Sequence, residues 1–380
     1  MKILRVIAGL DPEKGGPISV FSSAVIASMR AGADIECLTL EWPERAVATC
    51  PDYQMLVSNG IQVHVFHDLC SACLHIWRQA SGIDILHIDG CWDPLCIAGA
   101  MLAKLRGLKL AVTPHESLTV SDQRRTSSRI RKLAKAVLSK IYQRATDCIL
   151  YSSPLEQTDS VSHRGSVVIP HPVFDDATSA IPVRVKAGLR SERRIKIGYL
   201  GRFHPKKRIE DIIEAARHSP NLDLLIAGNG SGDYAAGLRA RSDGCDNVVW
   251  LGFVETARRE QFFAEIDFLV LASDYECFGM AAAEALVRGV PVITTDRVGV
   301  ADDIRRWRAG YVVDIGVPSL QQAFMSCSRL GPEEYQELQR GALKAAAGYS
   351  YSAHGRAQLA AYARLEGGAV DDVAVAQGST

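Results

Sequence analysis

Short apolar runs alternate along the chain with longer stretches in which apolar residues recur every three or four positions. The runs Lys2–Ala8, Ile35–Leu40, Ile61–Phe66, Ile85–Ile88, Lys109–Thr113, Cys148–Tyr151 and Val167–Ile169 predict strands. The amphipathic stretches Ile18–Arg30, Pro94–Leu105 and Ser128–Arg144 predict helices between them. Residues Phe174–Glu192 hold Pro182 and few large apolar groups, and read as a linker. A second set then begins. Strands are predicted at Ile195–Leu200, Leu222–Ala227, Val248–Leu251, Phe268–Ala272, Val290–Thr294 and Tyr311–Val313. Helices are predicted at Ile209–His218, Ala257–Glu265, Met280–Arg288 and Pro332–Ala346. Regular strand–helix alternation places helical crossovers between parallel strands, so each set predicts a doubly wound α/β sheet. The expected domains are residues 1–178 and 194–348, with a cleft between them. A last amphipathic stretch near Ala353–Leu365 predicts a C-terminal helix, within residues 349–366, that packs back on the first domain. Residues 367–380, rich in Gly, Ala and Asp, read as a disordered tail.

Composition narrows the function classes. A chain of 380 residues exceeds one ordinary core, which fits two domains. Its 47% hydrophobic and 23% charged content is that of a soluble globular protein. The formal net charge of zero argues against wholesale nucleic-acid binding. No apolar run approaches the roughly 20 residues of a membrane span, and Met1–Ala8 reads as a first strand, not a signal peptide. The ten cysteines are scattered in mostly apolar contexts, so a cytoplasmic protein without a disulfide framework is expected. His64, His67, Cys70 and Cys73 follow at a spacing of three, and such residues can ligate zinc. They straddle a strand, a turn and a helix, however, so no metal site is expected from them. The stretch Arg124–Arg144 holds eight basic residues and no acid. Ordinary packing is the expected role of its Ile130, Leu133, Val137, Leu138 and Ile141. Peripheral contact of its basic excess with the anionic lipid headgroups of the inner membrane surface is the alternative.

Candidate chemistry falls at the carboxyl ends of strands, where doubly wound sheets bind ligands. The stretch Ser273–Leu286 follows a predicted strand and opens a helix. Its backbone N–H groups near Phe278, Gly279 and Met280 lie at the positive end of a helix dipole, a ready phosphate site. Glu284 follows about five residues on, roughly 7–8 Å along a helix. That spacing suits a carboxylate gripping a ribose, while Glu276 precedes the helix and points elsewhere. The turn Gly201-Arg202-Phe203-His204-Pro205-Lys206-Lys207-Arg208 sets cations at the end of another strand, with Arg202 suited to a bidentate oxyanion contact and Lys207 to a point charge. In the first domain, Gly15-Gly16-Pro17 allows close backbone approach to a ligand, and His115 follows the strand Lys109–Thr113.

Taken together, these residues resemble the retaining, nucleotide-sugar-dependent glycosyltransferases of family 4, with the GT-B fold. The resemblance rests on Gly201-Arg202 with Lys207 five residues on, and on Glu276-x7-Glu284 around Phe278-Gly279. Gly15-Gly16-Pro17, Asp84–Gly90, Thr113-Pro114-His115, Gly228-Asn229-Gly230 and Gly252-Phe253-Val254 add to it in family order. It implies two Rossmann-like domains facing a central cleft, the first binding acceptor and the second the donor. It implies that Arg202 and Lys207 neutralise the departing nucleotide diphosphate. Phe278, Gly279 and Met280 would contact donor phosphates and sugar, Glu284 the ribose hydroxyls, and Glu276 the sugar hydroxyls. Gly15 and Gly16 would approach the donor phosphates, and His115 the anomeric centre.

The sequence contains no D-x-D pair, so the cations take the role that a metal plays elsewhere, and neither metal nor cofactor is expected. The expected reaction moves a sugar from a UDP- or GDP-sugar to a hydroxyl of a glycan or lipid-linked precursor. A nucleotide-sugar 2-epimerase and a non-catalytic nucleotide-sugar-binding protein are the alternatives. Two departures from the family pattern stand out. Arg208 occupies the position where the family usually has glycine, and Val298-Gly299-Val300-Ala301-Asp302 replaces Gly-Gly-x-Pro-Glu. Donor preference is the property these changes bear on.

Overall fold

The computed structural model describes residues 1–10, 16–41, 47–126, 128–160, 163, 165–177 and 194–367. Gly15, the expected linker from residue 178 on and the expected tail from residue 368 on lie outside them. The chain divides into two compact units, Met1–Thr178 with Tyr349–Thr380, and Ser179–Gly348.

The first unit is built on β1 (Lys2–Ile7), β2 (Asp34–Leu40), β3 (Val63–Phe66), β4 (Ile85–Asp89), β5 (Lys109–Thr113), β6 (Cys148–Tyr151) and β7 (Ser166–Val168). All pair in parallel, in the order β3-β2-β1-β4-β5-β6-β7. Helices cover both faces of such a sheet, which is why β4 is buried at every position, its polar His87 and Asp89 included. Phe21, Val25 and Ile26 of helix Gly16–Arg30 fill one face, with Leu56 of Pro51–Ser58 and Tyr362 of Tyr351–Leu365. The other face is filled by Ala72 and Ile76 of Leu69–Gln79, Leu95, Cys96, Ala100 and Ala103 of Pro94–Arg106, and Tyr142 of Arg129–Ala145.

The C-terminal helix Tyr351–Leu365 packs on Gly16–Arg30. Gly355 makes that approach possible: a Cβ there would meet the Ala27 carbonyl oxygen at 2.1 Å. The Tyr351 hydroxyl donates to Ser23 Oγ at 2.8 Å across the same contact. Phe174, inside the expected linker, pairs as a bridge with Ser350, so the linker begins later than the sequence suggests.

The second unit carries β8 (Ile195–Leu200), β9 (Leu222–Ala227), β10 (Val248–Gly252), β11 (Phe268–Leu271), β12 (Val292–Thr295) and β13 (Gly310–Val313). These too are parallel, in the order β10-β9-β8-β11-β12-β13. In both sheets the chain runs outward from its first strand, returns, and runs the other way. The order therefore reverses between β1 and β4 and between β8 and β11, the positions where ligands bind in sheets of this kind.

Two expectations need correction. Helices Pro51–Ser58, Val120–Arg125, Pro154–Asp159, Gly232–Arg241, Ala301–Trp307 and Val317–Arg329 were not legible, and in Gly232–Arg241 only Leu238 is buried, so no apolar stripe marks it. More consequential is helix Arg129–Ala145, whose Ile130, Leu133 and Val137 face solvent instead of the core. Helical spacing identifies a face but not which face meets the sheet; here Ser139 and Tyr142 are the buried side. Among the described residues no helix is long and apolar enough to cross a membrane, and all ten cysteines are free thiols.

Candidate functional site

The site in the second unit grows from three neighbouring strands, β8, β11 and β12. Their carboxyl-end loops are joined by main-chain hydrogen bonds. Asp274 N–H donates to the Lys206 carbonyl at 2.8 Å, which ties the loop after β11 to the loop after β8. Glu276 N–H donates to the Arg297 carbonyl at 2.9 Å, and Gly299 N–H donates back to the Glu276 carbonyl at 3.0 Å. Val300 N–H donates to the Phe278 carbonyl at 3.0 Å. Thr294 and Thr295 hydroxyls donate to the Leu271 and Ser273 carbonyls at 2.9 and 2.8 Å. The β11 loop is thus held between two others, and its side chains inherit fixed positions.

Lys207 and Glu276 meet in this frame. Lys207 Nζ lies 2.6 Å from Glu276 Oε1, with Lys206 Nζ at 3.9 Å from the same oxygen. Both pair members are largely shielded, at 17% and 14% side-chain exposure, so the interaction is weakly screened. Burial would raise the Glu276 carboxyl, but Lys207 and Lys206 outweigh it and hold the group below its ordinary range. Lys207 closes a single 3-10 turn, Pro205–Lys207, capped by the His204 side chain accepting from Lys206 N–H. Arg202 precedes this turn and is exposed, its carbonyl accepting from the Tyr199 hydroxyl at 3.1 Å.

Arg208 explains why glycine is the expected residue after the lysine. Its φ of 49° is left-handed, where a side chain costs about 1–2 kcal/mol. The side chain offsets that cost with ion pairs to Asp211 at 2.6 Å and Asp274 at 3.2 Å, and so becomes a second tie between the β8 and β11 loops.

Gly279 begins helix Met280–Val287 with φ +100°. A Cβ there would also lie 2.6 Å from Val298 Cγ1, so both conformation and space call for glycine. No side chain caps this helix start. Its first bond runs from Ala283 N–H to the Gly279 carbonyl, which leaves the N–H groups of Met280, Ala281 and Ala282 without intrahelical acceptors. Such a terminus favours an anion. Phe278 is buried beside it. Glu284, one turn further on, is paired with Arg259 Nη1 at 3.2 Å. Burial raises its carboxyl, and Arg259 and Arg288 oppose that shift. Neither Arg259 nor Lys206 was legible as a partner, because contact across the fold, not spacing, puts them there.

The remaining expected residues, His115, Gly15 and Gly16, belong to the first unit. Gly16 opens helix Gly16–Arg30, and Gly15 lies outside the described residues. His115 Nε2 sits 3.0 Å from Asp89 Oδ1, at the end of β4. Asp89 also accepts from Arg5 Nε at 2.6 Å and Arg5 Nη2 at 2.9 Å, a bidentate pair in the interior. Burial would raise the Asp89 carboxyl, but Arg5 holds it well below the carboxylate range. An ionised Asp89 accepts the His115 Nε2–H and so fixes the ring's tautomer. His115 and Glu116 both adopt left-handed backbone, at φ 47° and 73°. Two strained residues in succession persist only where surroundings hold them. Here the Glu116 N–H donates to the buried Glu156 carboxylate at 2.7 Å, which also accepts from Ser152 N–H.

The other ligand-type groups do not converge. His64 pairs with Glu36 at 3.0 Å and His67 with Glu41 at 2.8 Å. Among the described residues no three His, Cys, Asp or Glu side chains are placed to hold a metal ion. A cavity of 740 Å³ between helices Ala301–Trp307 and Pro332–Ala346 is lined by none of the residues above.

Comparison with known proteins bears on the second unit first. Residues 184–342 match the model of the family Glycosyl transferases group 1. A D-inositol 3-phosphate glycosyltransferase of Segniliparus rotundus is 27% identical over 205 residues, 51% of this chain and 45% of the relative. A 2-deoxystreptamine glucosyltransferase of Streptomyces kanamyceticus is 28% identical over 240 residues, 58% of this chain and 60% of the relative. The match thus spans 45% and 60% of the length of these curated relatives. Among solved structures, sucrose-phosphate synthase from Thermosynechococcus elongatus superposes with TM-score 0.73 at 18% identity, over 97% of this chain and 99% of that one. Anabaena HepE in complex with UDP and glucose gives TM-score 0.71 at 19% identity, over 95% and 98%. The two parallel-sheet units are therefore those of the GT-B fold, and residues 184–342 carry the sequence pattern of the group 1 glycosyltransferases.

Proposed function

We propose that the protein is a retaining, metal-independent glycosyltransferase of family 4. It moves a hexosyl group from a UDP- or GDP-sugar to a hydroxyl of a glycan or lipid-linked precursor. The observation that carries this reading is the Lys207–Glu276 pair, fixed beside the uncapped start of helix Met280–Val287. Breaking a sugar–diphosphate bond builds positive charge on the anomeric carbon and negative charge on the departing diphosphate. Preorganised donors aimed at the departing charge are the largest catalytic lever for such a step. Lys207, Arg202 and the free N–H groups of Met280 to Ala282 supply them without an ion. Glu276 holds hydroxyls of the donor sugar, and Glu284 the ribose. His115, oriented by Asp89, serves the sugar near its anomeric centre. Acceptor attack on the face that the diphosphate leaves retains configuration without a protein nucleophile.

The relatives support the substrate classes. HepE was solved with UDP and glucose, and the two curated relatives are named a D-inositol 3-phosphate glycosyltransferase and a 2-deoxystreptamine glucosyltransferase. The direct test is incubation with labelled UDP- and GDP-sugars, an acceptor panel and EDTA. Transfer with retained configuration is expected, undiminished by the chelator. Epimerised donor without transfer would make the protein an epimerase, and binding without turnover would make it non-catalytic. Lys207→Ala is expected to lower kcat about 10²–10³-fold, with nucleotide affinity changed far less, because Lys207's partner charge grows in the transition state. Equal losses in both would remove Lys207 from the catalytic role.

A further inference from the structure

Three helices cover one face of the first unit's sheet side by side: Leu69–Gln79, Pro94–Arg106 and Arg129–Ala145. Their inner sides fill the core, yet their outer sides are apolar too. Ile130 is 82% exposed, Leu133 69% and Val137 51%. On Pro94–Arg106, Leu105 is 71% and Met101 57% exposed. On Leu69–Gln79, Leu74 and Trp77 are 46% and 42% exposed, with the Arg106 guanidinium 4.5 Å over the Trp77 ring. Single exposed apolar residues need no explanation, but seven on adjoining helices of one face do.

The arrangement on Arg129–Ala145 is ordered. At 3.6 residues per turn, Ile130, Leu133 and Val137 fall within about 60° of one another. Arg144 continues the same sector toward the helix end, and Lys140 and Arg129 border it. The buried side is marked by Ser139 and Tyr142, with Lys135 beside them tied to Asp122 at 2.6 Å. Arg129, Arg131, Lys132, Lys140 and Arg144 are all exposed, and the helix carries no acid. Among the described residues none of these five cations makes an ion pair, whereas Arg125 pairs with Glu116.

We propose that this face docks on an anionic lipid surface, with Ile130, Leu133, Val137, Met101 and Leu105 entering the headgroup–acyl boundary and the surrounding cations meeting lipid phosphates. Charge complementarity selects this occupant. A helix whose apolar residues point outward within a field of cations, without one carboxylate, is what an interfacial helix requires. A second copy of the chain would set the same cations against each other. Trp77 and the snorkelling stem of Arg106 add the aromatic–basic pairing favoured at a membrane interface. The inference is independent of the transfer reaction, and its test does not read activity.

The experiment is co-sedimentation of the full chain with phosphatidylcholine vesicles, with and without phosphatidylglycerol. Binding is expected only where the anionic lipid is present, and it should fall as salt is raised. The variant Ile130→Ser/Leu133→Ser/Val137→Ser should lose at least tenfold in partition with an unchanged Tm, because all three side chains are already exposed. Arg129→Gln/Arg131→Gln/Lys132→Gln/Lys140→Gln should abolish the preference for the anionic lipid. No binding to phosphatidylglycerol vesicles would overturn the proposal, as would full binding by the serine variant. So would wild-type dimers that the serine substitutions dissociate, since that result assigns the face to a second copy.

Discussion

Glu276→Gln is the most informative single change, because the site reading requires Lys207 to serve two partners. In the free protein its ammonium is held by Glu276 at 2.6 Å. The substitution keeps shape and leaves the Glu276 main chain bonded to Arg297 and Gly299, so the loop has no reason to move. It deletes the carboxylate charge that Lys207 and Lys206 face. A hydrogen bond to a charged group is worth about 1.5–3 kcal/mol net. If a nucleotide diphosphate must draw Lys207 from Glu276, recovering about 1.4 kcal/mol of that tightens binding about tenfold. At the same time the donor sugar loses its carboxylate, and kcat should fall at least about 100-fold, near 2.7 kcal/mol. The pH window follows from the sign of the shift. A carboxyl held below its ordinary value contributes stability present above that value and lost as pH falls through the folded one, so the pair is intact at pH 7. Calorimetric titration with UDP and GDP, beside steady-state release of nucleotide from the sugar donor, gives both numbers. Unchanged or weaker nucleotide binding, in a variant whose circular dichroism matches wild type, would show that Lys207 and Glu276 form a structural ion pair and not half of a phosphate site.

Three further predictions test the frame around that pair. Gly279→Ala places a side chain at φ +100° and 2.6 Å from Val298 Cγ1, and should cost about 1–3 kcal/mol in denaturant unfolding of the second unit, with weakened nucleotide affinity. Arg208→Gly should leave stability within about 1 kcal/mol, because relief of left-handed strain offsets two lost ion pairs, one of them to an exposed Asp274. A loss well beyond that would show the ties to Asp211 and Asp274 dominate. In the first unit, burial pushes His354 down to about 4, and His87 and His171 shift the same way. These rings stay neutral when folded but take up protons when unfolded. Stability is therefore lost as pH falls from about 6.5 toward 4, by about 3 kcal/mol for His354 alone. His354→Gln should flatten that part of the pH–stability curve, and an identical curve would refute the assignment.

Much of this architecture is legible in the order of residues, for a physical reason. Parallel strands buried on both faces must be largely apolar, so β5, β6, β8 and β9 could be bounded to the residue. The loops that follow such strands are where charge and glycine collect, which exposes Lys207, Glu276 and Gly279. What spacing does not carry is partnership across the fold. Arg259 reaches Glu284 from another helix, and Arg5 reaches Asp89 from another strand. Gln358, contributed by the C-terminal helix, closes the same buried network on Arg5 at 3.2 Å. Nor does periodicity say which side of a helix turns inward. The stripe on Arg129–Ala145 has core spacing, yet it lies outside because Ser139 and Tyr142 occupy the packed side.

A thermal-shift titration with nucleoside diphosphates and their sugars tests the central claim most directly. A ligand that binds only the folded state at 100 times its Kd adds about 2.7 kcal/mol of stability. UDP or GDP, and the matching sugar, should raise the melting temperature of the wild-type protein in that saturable way, and Glu276→Gln should respond at lower concentrations of the diphosphate. A protein that melts unchanged with every nucleoside diphosphate and nucleotide sugar would contradict the account.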